Sequence, residues 1–107
     1  MINNIQDDAP HPGTILNELY LKPLMLSITQ TAIYLKMGRE QLSNIINGKA
    51  GISPLMALRL AQAFNTTAQY WLNLQNEYNL SIVYHQYKHE IDSIIKIVYD
   101  DSKEANL

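Results

Sequence analysis

Signals that start and stop helices recur along this chain at short intervals, and they restrict it to a bundle of short helices. Pro12 suits a first helical position, and Ile15, Leu16, Leu19 and Tyr20 supply an apolar face before Pro23 ends the segment. Ser27 and Gln30 make an S-x-x-Q capping box that opens a second helix, about Ile28 to Lys36. A third is expected from about Arg39 to Ile46, closed by Asn47-Gly48. Ser53-Pro54 opens a fourth, with Ala57, Leu60, Ala61 and Phe64 inward and Asn65 at its end. Thr66 and Gln69 form another capping box for a fifth, which holds Tyr70, Trp71, Leu74 and Tyr78. No stretch alternates apolar and polar residues between hairpin signals, so the expected class is all-α.

Beyond Leu80 the pattern is looser. Tyr84, Tyr87, Ile91, Ile94, Ile95 and Val98 recur at helical spacing, an amphipathic stripe. The run Ile94-Ile95-Lys96-Ile97-Val98-Tyr99 is β-branched and could equally form a strand. The length of the stripe favours helix, with fraying expected from about Asp100. The expected organisation is an N-terminal arm (1–10), a five-helix domain (11–80) and an amphipathic C-terminal extension (81–107).

The chain has 107 residues, room for one domain with a modest core. It has no cysteine, which excludes disulfides and thiolate metal sites. No apolar run reaches the roughly 18 residues that a membrane span requires, and the first ten residues are polar and acidic. A cytoplasmic protein with no membrane partner is expected. The net charge of -2 conceals a division. Between Lys22 and Gln62 five cations face one carboxylate, a net of +4, while the remainder carries three cations against nine carboxylates. A basic middle between acidic ends suggests two surfaces with different partners.

The second and third helices are joined by Lys36-Met37-Gly38, the spacing of a helix-turn-helix. Ala32 is small where the two would cross, and Leu35, Met37, Leu42 and Ile45 can pack beneath them. With Leu42 at the centre of the buried face, Glu40, Ser43, Asn44 and Asn47 lie opposite, flanked by Arg39 and Gln41. A solvated face ordinarily favours Glu and Lys over the poor helix formers Asn and Ser. Arg pairs in a bidentate way with guanine, and Asn or Gln with adenine, so these side chains have a use at base edges. An ordinary solvated helix is the alternative at this point.

The strings "HPGTIL", "LSITQTAIYL", "NGKAGISPLMALRLAQAF" and "YWLNLQNEYNL" resemble the HigA/VapI antitoxins, a branch of the Cro/repressor-like helix-turn-helix family. The match runs ungapped from about His11 to Leu80. The resemblance implies a five-helix DNA-binding domain that dimerises, binds operator DNA, represses its own operon and neutralises a HigB-like toxin, an mRNA-cleaving protein. It places Arg39, Glu40, Gln41, Ser43 and Asn44 at base-facing positions, and Thr29, Gln30, Asn47 and Lys49 near phosphates. The sequence departs from that pattern in three places. Lys36 stands where the family usually has Gly, Thr31 where it has an apolar residue, and Gly38 where it has a capping Ser or Thr. Either Lys36 adopts the left-handed conformation or the turn shifts toward Gly38.

Other constellations carry less. His85 and His89 are four apart, a spacing metal sites use, but H-E-x-x-H is absent and no third ligand lies nearby, so no metal is expected. His11 precedes Pro12 and is expected to begin the first helix. No acid, base and nucleophile stand together as an enzyme requires, and no cofactor is implied. Trp71, Leu74 and Tyr78 are expected to combine core packing with a dimer interface. The acidic terminal segments, with Asp7, Asp8, Asp92, Asp100 and Asp101, are candidates for docking a basic toxin. A solitary repressor without a toxin, and an interaction module that has lost DNA binding, remain open alternatives.

Overall fold

A computed structural model describes residues 8–98. The chain folds into α1 (Pro12–Leu16) continued by a π-helical turn (Asn17–Leu21), then α2 (Ile28–Tyr34), α3 (Arg39–Ile46), α4 (Pro54–Phe64), α5 (Ala68–Gln86) and α6 (Lys88–Asp92). No strand is present among the described residues. The expected arm residues Met1 to Asp7, and Tyr99 to Leu107 with Asp100 and Asp101, lie outside them.

The π turn corrects the expected face of the first helix. Leu19 is 60% exposed, whereas Leu16 and Leu21 are enclosed. The Lys22 N–H donates to the Asn17 carbonyl at 2.9 Å, an i→i+5 bond that widens the turn and brings Leu21 back over Leu16. An α-helix would have turned Leu21 away from that face.

Most of the later helix boundaries have an identifiable cap or closure. The Ser27–Gln30 box closes in both directions: the Gln30 N–H donates to Ser27 Oγ at 3.0 Å and the Ser27 N–H to Gln30 Oε1 at 3.1 Å. Thr31, polar in the core, donates its hydroxyl to the Ser27 carbonyl at 2.8 Å, which satisfies it without another partner. α2 ends at Tyr34, short of the expected Lys36, because Lys36 is left-handed (φ 55°). Its N–H donates to Ile33 O at 3.1 Å, and that of Met37 to Ala32 O at 3.0 Å, the paired bonds of a Schellman closure. The shift toward Gly38 does not occur. Gly38 is extended (φ -71°, ψ 144°) and opens α3 with no side chain to cap it.

α3 ends with the same closure, with Gly48 (φ 75°) at the left-handed position. Its N–H donates to Ile45 O at 3.1 Å and that of Lys49 to Asn44 O at 2.8 Å. α4 starts at the Ser53 cap, whose Oγ accepts from the Met56 N–H at 3.2 Å, and is closed by left-handed Asn65 (φ 55°). Its enclosed residues are Met56, Ala57 and Leu60, while Ala61 and Phe64 are only half-buried.

Two expectations about α5 are corrected. Its cap is Thr67, which accepts from the Tyr70 N–H at 3.1 Å, not Thr66. The Thr66 hydroxyl instead accepts the indole N–H of Trp71 at 2.7 Å. Trp71 is fully enclosed within the chain, so it offers no surface to a second copy and belongs wholly to the core. Around it gather Leu16, Leu21, Ala32, Leu35, Leu42, Ile45, Ile52, Met56, Ala57 and Leu60. Tyr20 and Tyr70 rest against its ring at 5.2 and 5.0 Å between centroids.

α5 passes position 80 without interruption, and α6 follows one residue after it. The expected long C-terminal helix is thus only partly realised. Ile94 to Val98 have no regular structure, and Ile94, Ile95, Ile97 and Val98 are 70% to 95% exposed. Without a partner surface, their β-branched side chains have little reason to hold a helix.

Candidate nucleic-acid interface

The geometry of α3 follows from what lies beneath it. Leu42 and Ile45 are enclosed on its inner side, as are Ala32 of α2 and Leu35 just past its end. On the outer side Arg39, Glu40, Gln41 and Asn47 are exposed, and Ser43 and Asn44 are half-buried. Thr29 and Gln30 are exposed on α2, and Lys49 on the turn that follows α3.

Several of these side chains are already oriented by neighbours. Arg39 donates from Nε to Thr29 Oγ1 at 3.0 Å, which links the first turns of α2 and α3. That contact leaves the two terminal nitrogens of the guanidinium as the fork that an acceptor can take. Asn47 donates from Nδ2 to Ser43 Oγ at 3.2 Å along one side of α3. Gln30 differs from the expectation of a simple anion contact, because its Oε1 is engaged in capping and only its amide nitrogen suits an anion. Glu40, in the first turn of α3, complements the helix dipole there.

The basic middle resolves into groups with different surroundings. Lys22 pairs with Glu18 at 2.7 Å on the surface, a contact of small energetic weight. Arg59 reaches from α4 to the carbonyls of Leu35 and Lys36. Lys36, Arg39 and Lys49 are exposed at or beside the ends of α3.

Two residues that sequence reasoning passed over, Gln75 and Gly13, and a third that it read only as a helix start, His11, support this surface. Gln75 of α5 accepts the Ile52 N–H at 2.7 Å and so holds the loop after α3. Its only sequence signal is a polar residue between Leu74 and Tyr78 on a helix that packs inward. Gly13 admits no side chain, because a Cβ there would lie 1.8 Å from the Ile45 carbonyl oxygen. His11, expected to begin α1, does so: its Nδ1 accepts the Gly13 N–H at 2.9 Å. The same ring meets Tyr78 edge-on at 4.8 Å and bonds to the Ala50 backbone, joining α1, α5 and the loop after α3. Burial holds its pKa below the ordinary histidine value, against the opposing Ala50 bond.

Nothing comparable gathers elsewhere among the described residues. His85 lies in α5 and His89 in α6, so they share no continuous helical face. Among the described residues no three His, Asp or Glu stand close enough to hold a metal ion. No helix of the described residues is long and apolar enough to cross a membrane.

Comparison with known proteins agrees with this architecture. Residues 18–71 match the helix-turn-helix family. Virulence-associated protein A of Dichelobacter nodosus is 49% identical over 77 residues, which cover 71% of this chain and 76% of that protein. A Pseudomonas aeruginosa protein solved in complex with its operator DNA is 34% identical with a TM-score of 0.83, covering 89% of this chain and 100% of that one. The Pseudomonas aeruginosa antitoxin HigA, solved with the higBA promoter, is 35% identical with a TM-score of 0.78, covering 85% of this chain and 99% of that one. With its two short helices, its closed turn and these relatives, the chain belongs to the HigA/VapI family of helix-turn-helix antitoxins.

Proposed function

We propose that this protein is a cytoplasmic type II antitoxin that binds operator DNA as a homodimer, represses its own operon and neutralises a HigB-like mRNA-cleaving toxin. The observation that carries the reading is the outer face of α3, where Arg39 is held onto α2 by Thr29 beside Ser43, Asn44 and Asn47. Two neighbours of similar fold were solved with operator or promoter DNA. In this reading residues 11–80 form the DNA-binding unit. Arg39, Glu40, Gln41, Ser43 and Asn44 meet base edges, and Thr29, Gln30, Asn47 and Lys49 meet phosphates. The half-buried Leu74 and Tyr78 of α5 contact the second copy, with Trp71 supporting them from within. The terminal segments 1–10 and 81–107 are left for the toxin.

Gel shifts on the DNA upstream of the gene test the reading. Arg39→Ala and Asn44→Ala should each cost about 1–3 kcal/mol and relax preference at one base position. Lys49→Ala should weaken all sequences alike and flatten the salt dependence. Unaltered specificity in both α3 variants would refute the assignment. Sedimentation of Leu74→Lys, with its helix content checked, tests the dimer; a folded variant that stays dimeric moves the interface elsewhere.

A further inference from the structure

Among the described residues, Arg59 is the cation least placed like a surface charge. It stands in α4 between Leu58 and the enclosed Leu60, is half-buried, and turns its guanidinium onto the bend between α2 and α3. Its Nη1 donates to the Leu35 carbonyl at 2.9 Å and also to the Lys36 carbonyl. One terminal nitrogen carries two hydrogens, one for each acceptor.

The choice of acceptors has a physical logic. The Schellman bonds already occupy the carbonyls of Ile33 and Ala32. Leu35, which closes α2, and Lys36, the left-handed residue, remain to be satisfied. A cation at this point also faces the negative end of the α2 dipole. Because Leu60 is enclosed in the same cluster as Trp71, α4 is a fixed anchor for the contact.

We propose that Arg59 is a positioning residue for operator recognition: it braces the Leu35–Lys36 bend, sets the seating of α3 against α2, and brings no charge to the DNA. The inference rests on the operator-binding reading above. It assigns Arg59 a role distinct from that of Lys49, although both belong to the basic middle of the sequence.

The test compares Arg59→Met, which keeps the aliphatic stem and removes the donors, with Lys49→Ala. Arg59→Met should weaken binding to the operator duplex about tenfold, as expected for losing charged hydrogen bonds. Its plot of log K against log salt should keep the wild-type slope, whereas Lys49→Ala should reduce the slope by about one. In a Lys36→Gly background, where a left-handed residue is unstrained, the Arg59→Met loss should shrink to under about threefold. A slope reduced by about one in Arg59→Met would make Arg59 a phosphate contact and overturn the proposal. Equal losses in the two backgrounds would also overturn it.

Amide exchange separates this proposal from the operator reading. In Arg59→Met the Met37 amide should exchange at least about tenfold faster, with Leu60 and Trp71 unchanged. Unchanged Met37 protection overturns the brace. Faster Met37 exchange in a protein whose wild type binds no operator overturns the operator reading and leaves the brace standing.

Discussion

Gly13→Ala is the sharpest probe of how α1 is seated on the helix-turn-helix. The added Cβ would stand 1.8 Å from the Ile45 carbonyl oxygen and 2.7 Å from its carbon. An ordinary carbon–oxygen approach is about 3.3 Å, so about 1.5 Å must be recovered. The obstacle is backbone in the last turn of α3, and no rotamer change can clear it. Overpacking of this kind costs about 1–3 kcal/mol and occasionally more, and a backbone obstacle belongs at the upper end. The better helix propensity of Ala returns about 1 kcal/mol at most, leaving a net loss of about 2 kcal/mol. For a domain of this size that is a fall of roughly 8–16 °C in Tm. Circular dichroism melts at fixed pH and protein concentration provide the assay. Ile45 O also accepts the Gly48 N–H that closes α3, so operator affinity should fall along with Tm. A Gly13→Ala protein melting within about 2 °C of wild type would refute the reasoning, since that is well under 1 kcal/mol.

Gly38→Ser should behave oppositely, because nothing lies within 4 Å of a Cβ there and its extended backbone suits a capping serine. A gain of about 0.5–1 kcal/mol is expected in the same melts. Thr66→Val should cost about 1–3 kcal/mol by leaving the enclosed Trp71 indole N–H without its acceptor, measured by urea unfolding. His11 supplies a pH dependence. Its folded pKa is depressed, so its contribution is complete above the ordinary value of 6.5 and is lost as pH falls through the lower folded value. The Tm of wild type should therefore decline across that acidic window relative to His11→Asn, which can cap at any pH; parallel profiles would contradict this.

The legible parts of the fold were those governed by local chemistry. Ser27 with Gln30, and Asn47 with Gly48, announce boundaries because the groups that satisfy the backbone lie within a few residues. The helix-turn-helix spacing and the outer side chains of α3 follow from those boundaries. Errors arose where a distant partner decided the outcome. Thr66 and Thr67 both look like caps, and only the enclosed indole of Trp71 claims one hydroxyl and leaves the other to the helix. Between Lys36 and Gly38, the two candidates that the sequence leaves open for the left-handed residue, Gly38 falls two residues too late for the bonds that close α2. Lys36 takes the position at a cost of about 1–2 kcal/mol, and Arg59 satisfies the bend from another helix. The π turn hid Leu21, because one additional residue breaks the periodicity on which a helical wheel depends. Gln75 and Gly13 reveal their roles only once α5 and α1 are docked.

The uninterrupted passage of α5 beyond Leu80 divides the molecule by resistance to opening. Its first half is anchored by Trp71 and Gln75, whereas Leu80, Ile82 and Val83 are exposed along the second. Backbone bonds in that second half have little burial to protect them, so their amides should open by local fluctuation long before the helix-turn-helix unfolds. Should a second copy cover those apolar residues, mass action would make their protection rise with protein concentration. Opening at Leu42 or Leu60, enclosed within one chain, would not follow the same law. Continuous helical geometry thus conceals two stability regimes, one intrinsic to the fold and one that its neighbours can set.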